Sequence, residues 1–232
     1  MNKVILIDKQ KDWTSFDVVA KVRSQVRSYA QDQTAEGEKP KKIKVGHAGT
    51  LDPLATGLLI VLVGAATKQQ DSYMKQDKVY EVEAMLGKTS TTGDEEGEKT
   101  EISDVQPTLE IVTEALQSFV GNISQIPPIF SAIKVDGQRA YKLARAGKPV
   151  KMKSRNVTIY SIDKITYNYP VVTFTVKVSS GTYIRTLVAD IGDRLSTGAY
   201  MSNLRRTQIG SASIDDAVPI DDISKILSTS VE

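Results

Sequence analysis

The chain contains no cysteine, which excludes disulfides, thiolate metal sites and cysteine nucleophiles and fits a cytoplasmic setting. Histidine is almost as scarce, with His47 the sole copy. No His-Glu-x-x-His or Cys/His cluster is present, so no metal site is expected. Long apolar runs are missing too. No stretch approaches the length that spans a bilayer, and Met1-Asn2-Lys3 leads straight into a short apolar strand with no signal-peptide pattern. What remains is ordinary for a globular protein: 232 residues, 40% apolar and 25% charged, enough to bury a sizeable core in one large domain or two small ones.

A large excess of one charge sign is also lacking, since the formal net charge is +2. The distribution says more. From Lys134 to Arg155 there are eight basic residues (Lys134, Arg139, Lys142, Arg145, Lys148, Lys151, Lys153, Arg155) against one acid, Asp136. Asp94 to Asp104 and the C-terminal stretch from Asp215 are acidic. A local basic stripe in a nearly neutral chain points to a polyanion held on one face, with a solvated lysine-rich loop as the plainer alternative.

The stretch KVGHAGTLDPLATGLLI, Lys44 to Ile60, is the strongest local candidate for a site. Gly46 and Gly49 let backbone approach a ligand or take positive φ. Pro53 stiffens the following turn and restricts Asp52 to extended angles, which holds a carboxylate in a defined position. The run Leu58 to Val63 reads as a buried strand. No Gly-Lys-Ser/Thr follows the glycines, so this is not a P-loop.

The flanking chain alternates strands and helices. Lys3 to Asp8 reads as a strand, and Thr14 and Asp17 stand at capping-box spacing before a helix from Phe16 to Tyr29, with Phe16, Val19, Val22, Val26 and Tyr29 inward. Ala30 to Lys42 is polar and reads as a flexible loop. Ala65 to Met74 looks helical. Val79 to Leu86 alternates with Tyr80, Val82, Ala84 and Leu86 on one face, and Thr89 to Asp104 is an exposed acidic turn. A helix from Thr108 to Phe119 points Leu109, Val112, Leu116 and Phe119 inward, and Gln138 to Ala146 is a further helix. Strands at Asn156–Ile165 and Val171–Val178 precede a helix with Ile184, Leu187, Val188, Ile191 and Leu195 on one face. Tyr183 and Arg185 flank that face, placed to reach a site rather than the core. Met201 to Ile209 follows as a last strand.

Read as a string, Gly46-His47-Ala48-Gly49-Thr50-Leu51-Asp52-Pro53-Leu54-Ala55-x-Gly57-x-Leu59 resembles the active-site motif of the TruB family of tRNA pseudouridine synthases. Five further segments, in the family's order, are similar to its motifs. Lys9, Thr14 and Ser15 match DKPxGxTS, with Gln10 in place of its proline and Asp12 in place of its glycine. Lys78-Val79-Tyr80-Glu81-Val82 matches a strand, Gln125 to Lys134 matches QIPPxxSAxK, and Gly181 to Thr186 matches GTYIRxL. Leu204-Arg205-Arg206-Thr207 resembles the strand that gives the pocket a leucine wall. Ser90-Thr91-Thr92 departs from the family's Thr-Asp-Thr, and Ala30 to Lys42 is longer than its usual connection.

The resemblance implies an α+β fold: a pseudouridine-synthase core with a mixed, largely antiparallel sheet, flanking helices and an RNA-gripping insertion at about 125–155. The catalytic domain is expected over 1–209, with 210–232 a short acidic segment in place of a full C-terminal RNA-binding domain. Implied roles are Asp52 as catalytic carboxylate and Arg185 as its partner. Tyr80 stacks on the base, Tyr183 and Leu204 line the pocket, His47 fills the gap left by the extracted nucleotide, and Lys9 belongs to the opening motif. Lys134, Arg139, Lys142 and Arg145 are the expected RNA contacts. The reaction would isomerise the T-loop uridine of tRNA (position 55 in standard tRNA numbering). It exchanges nothing with a redox partner, so no cofactor or metal is expected. The partner is the T-arm stem-loop and the enzyme a monomer. Two alternatives remain: a non-catalytic tRNA-binding or RNA-folding protein on the same core, and a carboxylate-dependent hydrolase. The hydrolase wants a second carboxylate near Asp52 that Lys44–Val63 does not supply.

Overall fold

The computed structural model describes every residue except 36, 37, 39, 40, 132, 136 and 224–232. Part of the 30–42 loop, Ala132 and Asp136 of the basic stretch, and the end of the acidic segment 210–232 therefore lie outside the described residues. In chain order the elements begin with β1 (Lys3–Lys9), α1 (Ser15–Asp32), β2 (Val45–His47) and β3 (Thr56–Val63). A 3-10 helix at Gly64–Gln69 then runs into α2 (Gln70–Met74), followed by β4 (Lys78–Leu86). Next come β5 (Lys88–Ser90), β6 (Lys99–Glu101), α3 (Leu109–Gln117), β7 (Gly121–Gln125), β8 (Lys134–Val135), β9 (Gln138–Arg139) and α4 (Ala140–Arg145). The chain ends through β10 (Arg155–Asn168), β11 (Val171–Val178), α5 (Ile184–Arg194), β12 (Ala199–Ile209), β13 (Ala212–Ser213) and β14 (Val218–Pro219). The class is α+β with mixed strand pairing, as expected. The chain divides into two compact units, residues 1–78 with 205–232 and residues 79–204, so β12 starts in the second and finishes in the first.

In the first unit the strand order is β14-β1-β3-β12, with β2 also paired to β3. The β1–β3 and β2–β3 pairings are antiparallel, while β1–β14 and β3–β12 are parallel. The unbroken apolar run Leu58–Val63 is explained by burial on both faces of β3. Leu59, Val61 and Val63 pack with Val18, Val19, Val22 and Val26 of α1, whereas Leu58, Ile60 and Leu62 pack with Ala48, Ala66 and Ile209. Each such side chain contributes roughly 1.5–3 kcal/mol. The helix α1 starts where the sequence places it: Thr14 Oγ1 accepts from the Asp17 amide at 3.0 Å, and the Asp17 carboxylate accepts from the Thr14 amide at 2.9 Å.

In the second unit the order is β12-β4-β11-β10-β7, with β10–β11 and β10–β7 antiparallel. The alternation of β4 is realised: Tyr80, Val82, Ala84 and Leu86 are buried. The apolar faces of α3 and α5 bury Val112 and Leu116, and Ile184, Leu187, Val188 and Ile191. The acidic 89–104 stretch is a two-strand hairpin, Lys88 opposite Glu101 and Ser90 opposite Lys99.

Four expectations change. Phe16 and Leu109, assigned inward, are 64% and 47% exposed, because each lies to the side of its helix's buried stripe, which runs through Ser15, Val18, Val19, Val22 and Val26 in α1 and through Val112, Ala115 and Leu116 in α3. The helix expected to end at Tyr29 continues to Asp32. The single helix expected over 65–74 is a 3-10 segment followed by one short α-helical stretch. Arg185, expected to stand clear of the core, is 7% exposed.

Candidate active site

Three buried polar side chains fix the turn that carries Asp52, all within the first unit. Ser15, the first residue of α1, uses its hydroxyl twice: it donates to the Leu51 carbonyl at 3.1 Å and accepts from the Leu51 amide at 2.8 Å. Lys9, fully buried at the end of β1, donates through Nζ to the carbonyls of Gln10 (2.9 Å), Trp13 (2.6 Å) and Pro53 (3.1 Å). The Asp12 amide adds a bond to the same Pro53 carbonyl at 2.9 Å. Burial pulls the Lys9 pKa down to about 8, with the Asp52 charge acting in the opposite direction. A cation out of water is tolerable here because three carbonyls and a carboxylate surround it.

Arg206 is the third. Its guanidinium is buried, donating to the carbonyls of Leu58 (2.8 Å), Gly49 (3.1 Å) and Thr50 (3.4 Å). It ties β12 to the loop on the other side of Asp52. Gly57 makes room for this: its φ is +98°, and a Cβ there would lie 2.3 Å from the Arg206 carbonyl oxygen. His47 closes β2, and its carbonyl accepts from the Gln70 side chain at 3.0 Å. Burial, then the nearby Arg206 charge, hold its imidazole pKa below the ordinary value. Burial, again with Arg206 adding to it, also lowers Lys78 to about 8.

The second unit holds the remaining candidates. Arg185, in the first turn of α5, forms a buried ion pair with Asp94 at 3.3 Å and donates to the carbonyls of Thr92 (3.1 Å) and Phe130 (2.8 Å). Asp94 in turn accepts from the Thr92 hydroxyl and from the Glu96 amide. Tyr183, capping α5, is clamped by Gln125, whose carboxamide accepts from its amide at 2.8 Å and donates to its carbonyl at 3.0 Å. The Arg155 guanidinium lies 4.7 Å from the Tyr183 ring centre. Tyr80 and Leu204 are buried on β4 and β12. Lys134, Arg139, Lys142 and Arg145 are all exposed, with Lys134 directly opposite Arg139 in the β8–β9 hairpin. Like charges facing across a hairpin are unfavourable unless an anion comes between them.

Thus the first unit gathers Lys9, His47 and Asp52, and the second holds Tyr80, Tyr183, Arg185, Leu204 and the four exposed cations. Among the described residues no group of His, Asp or Glu is arranged to hold a metal ion, and no helix is long and apolar enough to cross a membrane.

The profile of the TruB family pseudouridylate synthase N-terminal domain matches residues 37–184, and that of the tRNA pseudouridylate synthase B C-terminal domain matches 185–231. The chain belongs to the TruB family. A relative from Parabacteroides distasonis, named tRNA pseudouridine synthase B, is 43% identical over 99% of this chain and 94% of its own length. Among solved structures, the Cbf5-Nop10-Gar1 complex has a chain that superposes with a TM-score of 0.70 at 27% identity, covering 96% of this chain and 53% of that one. A chain of an H/ACA RNP bound to a substrate RNA containing 2′-deoxyuridine gives 0.66 at 26%, over 96% and 52%. This chain therefore spans about half the length of those structural relatives.

Within this TruB-family chain, one departure from the expected motif has a geometric resolution. Asp12, standing where the family pattern has glycine, adopts a left-handed φ of 67°, a conformation that Asp tolerates better than most residues. Sequence reading missed Arg206, Asp94 and Gln125 as organising residues. Arg206 sat in a motif read for its leucine, and Asp94 in a stretch read only as acidic surface. Gln125 opens a motif whose resemblance points only to the RNA-gripping insertion.

Proposed function

We propose that this TruB-family protein isomerises uridine to pseudouridine in tRNA, at the T-loop uridine (position 55), as a monomer in the cytoplasm. The observation that carries the reading is the fixing of Asp52: Ser15, Lys9 and Arg206 bond the backbone on both sides of it, leaving a carboxylate on a rigid turn. In the reaction the bond from ribose C1′ to uracil N1 breaks and C1′ rejoins at C5. The C5 proton leaves and N1 gains one, so the composition is unchanged and no redox partner is needed. Asp52 supplies the carboxylate at the sugar–base junction. Tyr80 and Tyr183 offer rings to a base taken out of its stack, Leu204 an apolar wall, and His47 a flat ring for the space the nucleotide vacates. The cations Lys134, Arg139, Lys142 and Arg145 meet phosphates of the T-arm.

Pseudouridine mapping of an unmodified tRNA transcript, with no cofactor added, tests this. Conversion confined to the T-loop uridine is expected. Binding without conversion would instead mark a tRNA-binding protein, and free uracil among the products a hydrolase.

A further inference from the structure

We propose that the cleft between α1 and residues 41–46 is a second RNA site, a cradle for phosphodiester backbone apart from the Asp52 turn; this rests on the tRNA reading above. The cleft measures about 1080 Å³ and is rimmed by Arg23, Arg27, Lys41, Lys42 and Lys44, with no carboxylate among the described residues of its lining. Its floor is apolar, including Val26 and Val45. All five cations are exposed.

The placement follows from local structure. The stripe Val19, Val22 and Val26 turns α1 onto the sheet, which sends Arg23 and Arg27, one turn apart, to the flank. Arg23 donates to the Val45 carbonyl at 3.3 Å, fastening one wall of the cleft to the other. Like charges four residues apart on a helix repel, and three lysines opposite add to that repulsion. An arrangement unfavourable in the free protein is relieved by a polyanion that releases its own counterions on docking.

Size and position select the occupant. The volume lies just above the roughly 300–1000 Å³ range of small-molecule pockets, which favours an extended chain over a single small anion. Gln70, in the cleft wall, donates to the His47 carbonyl, so the cleft opens beside the loop that leads to Asp52. Arg23 also lies 5.9 Å from the ring centre of the exposed Phe16, a flat surface next to a phosphate site of the kind that stacks on bases. Lys41 and Lys42 come at the end of the stretch that exceeds the usual connection.

The test is R27Q/K41Q/K42Q in the full chain, with affinity for an unmodified tRNA transcript measured between 50 and 200 mM salt. All three side chains are exposed, so the melting temperature should stay near that of the parent. If the triple variant fails to fold, K41Q/K42Q is measured in the same way. We expect about tenfold weaker binding and a salt slope smaller by about 2, since each lost phosphate contact removes roughly 0.7–0.9. Any loss of kcat/KM should fall on KM. Unchanged affinity and slope would overturn the proposal, as would a change seen with heparin but not with tRNA. If neither protein converts uridine yet the slopes differ, the cleft stands and the catalytic reading falls. If the parent converts uridine and the variant binds equally well, the cleft reading alone falls.

Discussion

Ser15 and Leu51 are bonded twice through one hydroxyl, at 3.1 and 2.8 Å, so the first turn of α1 sets the backbone of the residue before Asp52. Ser15→Ala would leave a buried amide and a buried carbonyl without that partner, at about 1–3 kcal/mol for such groups. Both a lower melting temperature and a fall in kcat with KM little changed are expected. Steady-state kinetics on a tRNA transcript decide it, and unaltered kcat would show that the Asp52 turn holds without Ser15.

The burial of Lys9 has a pH signature. Its pKa of about 8 lies below the ordinary 10.5, so between those values the unfolded chain binds more protons than the folded one. Stability attributable to this group therefore rises with pH across about 8 to 10.5; below 8 both states are charged and the burial cost is constant. NMR titration of the Lys9 side chain should show a midpoint near 8. In Asp52→Asn it should fall further, because the Asp52 charge raises it. An upward move would contradict the pairing.

Gly57 and Gly46 belong to one motif but should respond to alanine to very different degrees. At Gly57 a Cβ meets the Arg206 backbone at 2.3 and 2.8 Å with φ at +98°, whereas at Gly46 it meets nothing within 4 Å. Gly57→Ala should lower the melting temperature by about 5–10 °C, and Gly46→Ala by little. Thermal unfolding of the two variants checks the contrast.

Asp94 is expected to matter for stability. Asp94→Asn removes the charge opposite Arg185 in a pair where both side chains are largely buried, and breaking such pairs costs on the order of 3 kcal/mol. Denaturant unfolding measures this; a change below about 0.5 kcal/mol would mean that Arg185 is held by other bonds.

Much of this arrangement is legible in the sequence because it rests on short-range signals. Leu58–Val63 announces a strand buried on both faces, Thr14 and Asp17 announce a cap, and the β4 alternation announces which side of Tyr80 is covered. The misses come from contacts that link distant segments. Nothing local to Arg206 reveals that its guanidinium will bond carbonyls at Gly49, Thr50 and Leu58. The Arg185–Asp94 pair likewise joins residues from opposite ends of a unit. Phe16 and Leu109 fit a helical period yet stay exposed, since periodicity does not say how wide a stripe of the helix is covered.

Tritium release from a tRNA transcript carrying 5-tritiated uridine, compared between the parent chain and Asp52→Asn, tests the central claim most directly. The substitution keeps size and much of the hydrogen bonding but removes the charge. Release by the parent and none above background from the variant, with tRNA affinity within about threefold, is the expected result. Parental release rates in Asp52→Asn would show that this carboxylate does not carry the reaction.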